Sequence, residues 1–162
     1  MEMPKSAGAI VGSTYQQLLT RTLPATFAAL DRLGYHRNIH YFVGRKAPKS
    51  MNFDVPYLEP FSYDHVIHWF NGSIQHLISQ DRPGTSNSLT LDYIIGDEAK
   101  LLNYERLKEE TFPANGGTTR YFGDCPWHHG HIFCTDMPTS KSGEWILNKR
   151  EEMDSELIAV IK

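Results

Sequence analysis

The sequence predicts an α/β fold, a three-layer sandwich with a mostly parallel sheet and an inserted β-hairpin. Three observations predict it. Short apolar runs alternate with amphipathic helical stretches, which is the pattern of strands joined by helical crossovers. The run "LDYIIGD", Leu91–Asp97, is continuously apolar before its acidic end, as in a parallel strand covered on both faces. Asn71-Gly72-Ser73 separates two strand-like runs, and Asn-Gly in that position is the strongest short hairpin signal.

The elements follow in order. "AGAIVGS", Ala7 to Ser13, is a short apolar run bounded by glycine and serine and reads as a buried strand. "TYQQLLTRTLPATFAALDRLGY" carries Leu18, Leu19, Thr22, Phe27, Leu30 and Leu33 at helical spacing, with Gly34 as the stop and Pro24 expected to kink or split the helix. "NIHYFVG" is rich in aromatic and β-branched residues and reads as a strand. The proline-rich stretch from Arg45 to Tyr63 is a surface excursion. "HVIHWF" and "IQHLISQ" form the hairpin, and "DRPGTSNS" is a loop before the Leu91–Asp97 strand. "NYERLKEETF" reads as a helix with Asn103 as its cap. A long loop follows, with a short strand at Arg120–Phe122. "HIFCT" is the last strand, with Cys134 expected in the sheet core. "SGEWILNKREEMDSELIAVI" reads as one closing helix with Ile146, Met153 and Leu157 on one side.

With 162 residues the chain is expected to form one domain, residues 1–162. Its 40% apolar and 22% charged residues are those of an ordinary globular protein, and a net charge of -3 gives no global basic footprint for nucleic acid. Two cysteines do not make a disulfide framework, so a reducing, cytoplasmic setting is expected. No apolar run is long enough to span a bilayer, and "MEMPKSAGAIVG" lacks the basic leader and apolar centre of a signal peptide.

Asp97 and Glu98 are the candidate chemical pair. In an open parallel sheet, ligands sit at the carboxyl ends of the strands. An acid at such an end can hold Mg²⁺, and a second one beside it can polarise an attacking water. The bland alternative is that Asp97 caps the helix starting near Ala99 and Glu98 is merely solvated.

The order "AIVGSTYQQLL", "WFNGSIQHLIS", "RPGTSNSLTLDYIIGDEAKLLN", "HIFCTDMPTSKSGEWIL" resembles the ATPase domain of the large terminase subunit of tailed bacteriophages and prophages, motors that package DNA. The resemblance runs from about Ala7 to Trp145, and its most specific part is the NGS hairpin followed by "DEA". It implies a P-loop NTPase-like fold and a host bacterial cytoplasmic location. It also implies Mg²⁺ and ATP as cofactors, with double-stranded DNA, the portal and the small terminase subunit as partners. Residue by residue, it implies that Asp97 is the Mg²⁺-associated acid and Glu98 the catalytic carboxylate. Thr135 in "FCTDMP" falls in the motif that senses the γ-phosphate and couples hydrolysis to DNA movement, although only this one residue of the usual Ser/Thr run is present. Arg82, separated from Gly84 by Pro83, departs from the family's Arg-Gly pattern and reads first as an exposed loop arginine.

A phosphate loop reads G-x-x-x-x-G-K-[ST], and no Gly-Lys dipeptide occurs in the chain. In the family that loop lies upstream of the strand matching Ala7–Ser13, so the chain is expected to begin after it and to lack the nuclease domain as well. An excised fragment, a truncated gene product and one piece of a split terminase all fit. Such a chain is not expected to turn over ATP alone, and a gap beside the Asp97 strand is expected to promote homo-oligomer formation. A non-catalytic remnant or assembly module is the alternative. A stand-alone metal-dependent hydrolase using Asp92, Asp97 and Glu98 ranks last, because Asp92 lies about 16 Å back along an extended strand.

"GDCPWHHGHIFC" brings Cys125, His128, His129, His131 and Cys134 together in sequence, but not at the spacing of a zinc finger, and surface histidines are the better reading. Trp69 and Trp145 read as core residues rather than a nucleic-acid stacking platform, and Arg45, Lys46 and Lys49 as a solvated loop.

Overall fold

The computed structural model describes residues 2–117 and 119–161. Six strands form one sheet: β1 (Ala7–Gly12), β2 (Tyr41–Val43), β3 (Val66–Trp69), β4 (Ile74–Ser79), β5 (Tyr93–Asp97) and β6 (Gly130–Cys134). Their order across the sheet is β2-β3-β4-β1-β5-β6. β4, β1, β5 and β6 are mutually parallel, while β2–β3 and β3–β4 pair antiparallel. The sheet is therefore mostly parallel with an antiparallel wing, and the hairpin expected at Asn71-Gly72 is the β3–β4 turn. Gly72 has φ +80°, and a Cβ there would lie 2.9 Å from the Val55 carbonyl, so both conformation and space call for glycine.

Alternation along the strands sends residues to two layers. On one face Ile10, Leu18, Leu23, Tyr41, Ile67 and Trp69 form a core with Phe27 and Leu30 of the helix α2 (Leu23–Arg32). On the other, Ala9, Val11, Ile78, Ile94, Leu102 and Leu107 pack with Tyr104, Phe112, Phe133 and Trp145. The sheet lies between these two layers, as the sequence predicts. The excursion between β2 and β3 is pinned by the buried His68, whose Nδ1 accepts from Ala47 N at 3.2 Å while Nε2 meets the Asp54 carbonyl at 3.0 Å. Burial pulls this imidazole below its ordinary pKa, which suits a neutral ring with one donor and one acceptor.

Both long helical runs handle proline in the same way. The first consists of α1 (Tyr15–Gln17), a π segment (Leu18–Thr22) and α2, with Pro24 in the first turn of α2. The second consists of α3 (Tyr104–Arg106), a π segment (Leu107–Thr111) and α4 (Phe112–Ala114), with Pro113 in the corresponding place. Proline lacks the N–H and crowds the carbonyl four residues back, and a widened turn relieves both. Pro24 thus neither splits nor stops its helix. Asn103 caps α3, its side chain accepting from Arg106 N at 3.1 Å.

Several expectations need correction. Arg120–Phe122 is not a strand: it lies in the short helix α5 (Thr119–Phe122), with Phe122 buried. The closing helix is broken. A 3₁₀ turn (Lys141–Gly143), α6 (Trp145–Asn148) and a second 3₁₀ turn (Lys149–Glu152) precede an extended Met153 and α7 (Ser155–Ile161). Met153 is 62% exposed, so it is not on an apolar face, and the Leu157 side chain lies outside the described residues. β5 is not covered on both faces. Ile94 is buried, but Tyr93, Ile95 and Asp97 on the α2 side are only half-buried, because α2 lies over β1 and the wing and not over β5 and β6. Cys134 is exposed for the same reason. The gap expected beside the Asp97 strand is absent, since β5 pairs with β1 on one side and β6 on the other. Among the described residues, the open parallel edge belongs to β6.

Candidate functional site

The carboxyl ends of β4, β1, β5 and β6 lie side by side, because the four strands are parallel and in register, with Asp97 opposite Cys134. This is the end of the sheet where open α/β folds bind ligands. Asp97 closes β5 on the α2 side of the sheet. Its Oδ2 accepts a short hydrogen bond from the Thr22 hydroxyl, at the last residue of the π segment. Asp97, Glu98, Thr22, Thr26, Ile95 and Cys134 line a crevice of about 460 Å³ between α2 and the sheet.

Glu98 follows at φ 50° and ψ 50°, in the left-handed region. For a residue with a Cβ this conformation costs of order 1–3 kcal/mol, and such residues gather at functional sites. The turn it makes swings the chain from β5 into a 3₁₀ turn, Ala99–Leu101. Glu98 stands at the cap position of that turn but makes no side-chain capping bond, and Asp97 is engaged with Thr22. The simple capping role weighed for Asp97 is therefore not what its side chain does.

Glu98 Oε2 lies 3.6 Å from Lys100 Nζ. The same ammonium is hydrogen-bonded to Asp136 Oδ1, and Lys100 N donates to Thr135 Oγ1 at 3.4 Å. The hydrogen bond from Lys100 holds the Asp136 carboxyl below its ordinary pKa, and in turn raises that of Lys100. The structure thus brings Asp97, Glu98 and Thr135 to one end of two adjacent strands. It adds Thr22 and Lys100, which the sequence reading did not assign to the site. Sequence marks Thr22 only by its helical spacing, since it meets Asp97 through the packing of the first helical run. Lys100 had a faint signal in its place two residues after Glu98.

Other candidates lie elsewhere. Arg82 follows β4, its guanidinium 5.4 Å from the centre of the Tyr15 ring, and β1 lies between β4 and the Asp97 strand. Asp92 is buried at the opposite end of β5, where its Oδ2 accepts from Ala7 N at 2.8 Å and its Oδ1 lies 3.5 Å from His128 Nε2. It shares no site with Asp97. His131 stacks on Phe112 and meets Asn115 Nδ2 at 2.7 Å, while Cys134 points to the other face. Among the described residues no three His, Cys, Asp or Glu side chains come together as a metal-holding group. No helix among them is long and apolar enough to cross a membrane.

No protein-family model and no curated protein matches the chain. Among solved structures it is similar to the large terminase ATPase domain of Thermus phage P74-26, with 19% identity over 83% of this chain and 49% of that one, at a TM-score of 0.41. An arginine-to-alanine variant of the same domain gives 20% identity over 89% and 53%, at 0.43. The chain spans about half the length of these structures.

Proposed function

We propose that this chain is the acidic-strand part of a DNA-packaging motor ATPase of the phage large-terminase type. In this role Asp97 attends Mg²⁺, Glu98 orients the attacking water, and Thr135 reports on the γ-phosphate. The observation that carries it is the placement of Asp97 and Glu98 at the carboxyl end of a central parallel strand, lining one crevice, with Asp97 aimed by Thr22.

The donor set fits Mg²⁺ brought by a nucleotide and not a metal held by protein alone. Mg²⁺ is commonly bound through one or two carboxylates plus substrate phosphates and water, and two adjacent carboxylates with the neighbouring hydroxyls of Thr22 and Thr26 are what the crevice supplies. When bound, the ion neutralises the phosphates in the reaction. The chain's own part is to hold Asp97 with Thr22, to present Glu98 at the rim, and to keep Ile95 and Phe27 as an apolar wall that limits water. Cradling of the phosphates is left to a segment outside this sequence, because no glycine-rich Lys loop occurs here.

In this reading such a segment docks outside β6. The β5–β6 connection runs over the face opposite α2, with Tyr104, Leu107 and Phe112 in that layer. Parallel crossovers share one hand in about 98% of cases. A parallel strand outside β6 leading back towards β1 must therefore cross over the α2 side. That is the bare half of the face, where Ile132 is 56% and Trp127 59% exposed beside a hollow of about 370 Å³. One strand followed by one helix would cover both the edge and the hollow. DNA, the portal and the small terminase subunit are partners of the motor so completed.

The test uses Mn²⁺ as a paramagnetic probe on the 162-residue chain. Amide signals of Thr22, Gly96, Asp97, Glu98 and Thr135 are expected to broaden together at millimolar Mn²⁺, and Asp97→Asn to abolish this. ATP should bind weakly and show no turnover. Broadening centred elsewhere, or none at all, would overturn the assignment and leave a non-catalytic assembly module.

A further inference from the structure

Lys100 is tied to the end of β6 more firmly than its charge alone requires. Its side chain is only 23% exposed. The 3₁₀ turn Lys141–Gly143 packs against it so closely that a Cβ on Gly143 would lie 3.1 Å from Lys100 Cβ. The ammonium is therefore delivered from a fixed stem. One contact is to Asp136, a second from the main chain to Thr135, and the third, at 3.6 Å, to Glu98. The Glu98 side chain is 43% exposed overall, but its Oε2 is buried and has no hydrogen-bond partner, the Lys100 ammonium being 3.6 Å away. Without an anchor such a carboxylate samples several rotamers, and holding it costs entropy that a contact must offset.

We propose that Lys100 is a positioning residue of this site. Its main chain and ammonium hold Glu98 in one place relative to Thr135 and Asp136, so a shift of the segment after β6 is transmitted to the Glu98 carboxylate. The proposal rests on the function given above for the roles of Glu98 as the water-orienting group and of Thr135 in the coupling motif. Thr135 lies in the expected coupling motif, and Lys100 is the physical link between that motif and the acid pair. The main chain of Lys100 is held to Thr135 and its ammonium to Asp136, so the residue follows the segment after β6 and Glu98 follows the ammonium.

The experiment reads Glu98 directly. Side-chain couplings and relaxation of the Glu98 methylenes are measured by NMR in the 162-residue chain, in Lys100→Met, in Lys100→Arg and in Asp136→Asn. One rotamer is expected in the wild type and in Lys100→Arg, and rotamer averaging in Lys100→Met. Asp136→Asn, which does not touch Glu98, is expected to loosen it as well. Unchanged Glu98 couplings in Lys100→Met, with only a lower melting temperature, would reduce Lys100 to a structural prop and overturn the proposal. The Mn²⁺ measurement separates the two ideas. Glu98 loosening without Mn²⁺ at Asp97 supports the link and rejects the nucleotide site, whereas Mn²⁺ binding with unchanged Glu98 couplings rejects the link.

Discussion

The hydrogen bond from Thr22 to Asp97 joins the first helical run to the end of β5, and Thr22→Val isolates its contribution. Valine keeps the β-branched shape, so no cavity opens, and only the hydroxyl donor is lost. A hydrogen bond to a charged group contributes about 1.5–3 kcal/mol when well buried. Asp97 is half-buried, so water takes over part of the bond, and about 1 kcal/mol is the expected loss by the measure of ordinary hydrogen bonds. For a domain of this size that lowers the melting temperature by about 2–4 °C. Asp97→Ala supplies the other arm of a double-mutant cycle, read by urea unfolding. The coupling between the two sites is expected at about 1 kcal/mol, since they are in direct contact. Released from Thr22, Asp97 also loses its aim, and Mn²⁺ broadening at Gly96 and Glu98 should weaken. Additivity of the two mutations to within about 0.3 kcal/mol would refute the reasoning, because contacting residues that share a bond should not be independent.

Other consequences follow from the same geometry. In a motor completed with a phosphate-loop segment, Glu98→Gln should retain ATP binding and lower turnover about 10²–10⁴-fold, the scale of a positioned general base. Asp97→Asn should weaken Mg²⁺-dependent binding too. Near-normal turnover in both, by phosphate release, would reject the assigned roles. The Asp136 carboxyl, depressed by Lys100, contributes stability that is present above its unfolded-state pKa and lost as pH falls through the folded value. The stability difference between wild type and Lys100→Met should therefore shrink on acidification below about pH 4 and in high salt, as thermal melts across pH would show. The open β6 edge, with Ile132 outward, should promote self-association at high concentration, and Ile132→Lys should suppress it. A wild-type monomer by sedimentation at high concentration would count against that.

The sequence alone determined the fold class, the hairpin and the strand that ends in two acids. These are local signals: an Asn-Gly turn, apolar runs of strand length, and an Asn103 cap each act within a few residues. It also placed Asp97, Glu98 and Thr135 at strand ends, because parallel strands share a direction. Tertiary structure decided the rest. Thr22 reaches Asp97 across 75 residues of chain, and Lys100 joins Glu98 to Asp136 across 36. No periodicity encodes such contacts. Coverage of the sheet was likewise invisible, since an apolar residue such as Ile132 or Cys134 reads the same whether a helix lies over it or not. Only the path of α2 over β1 and the antiparallel wing leaves β5 and β6 bare on that side, and only the strand order puts the open edge at β6 rather than beside Asp97. Where burial depends on which element packs over which face, the determining distances lie between segments far apart in the chain, and local propensity cannot report them.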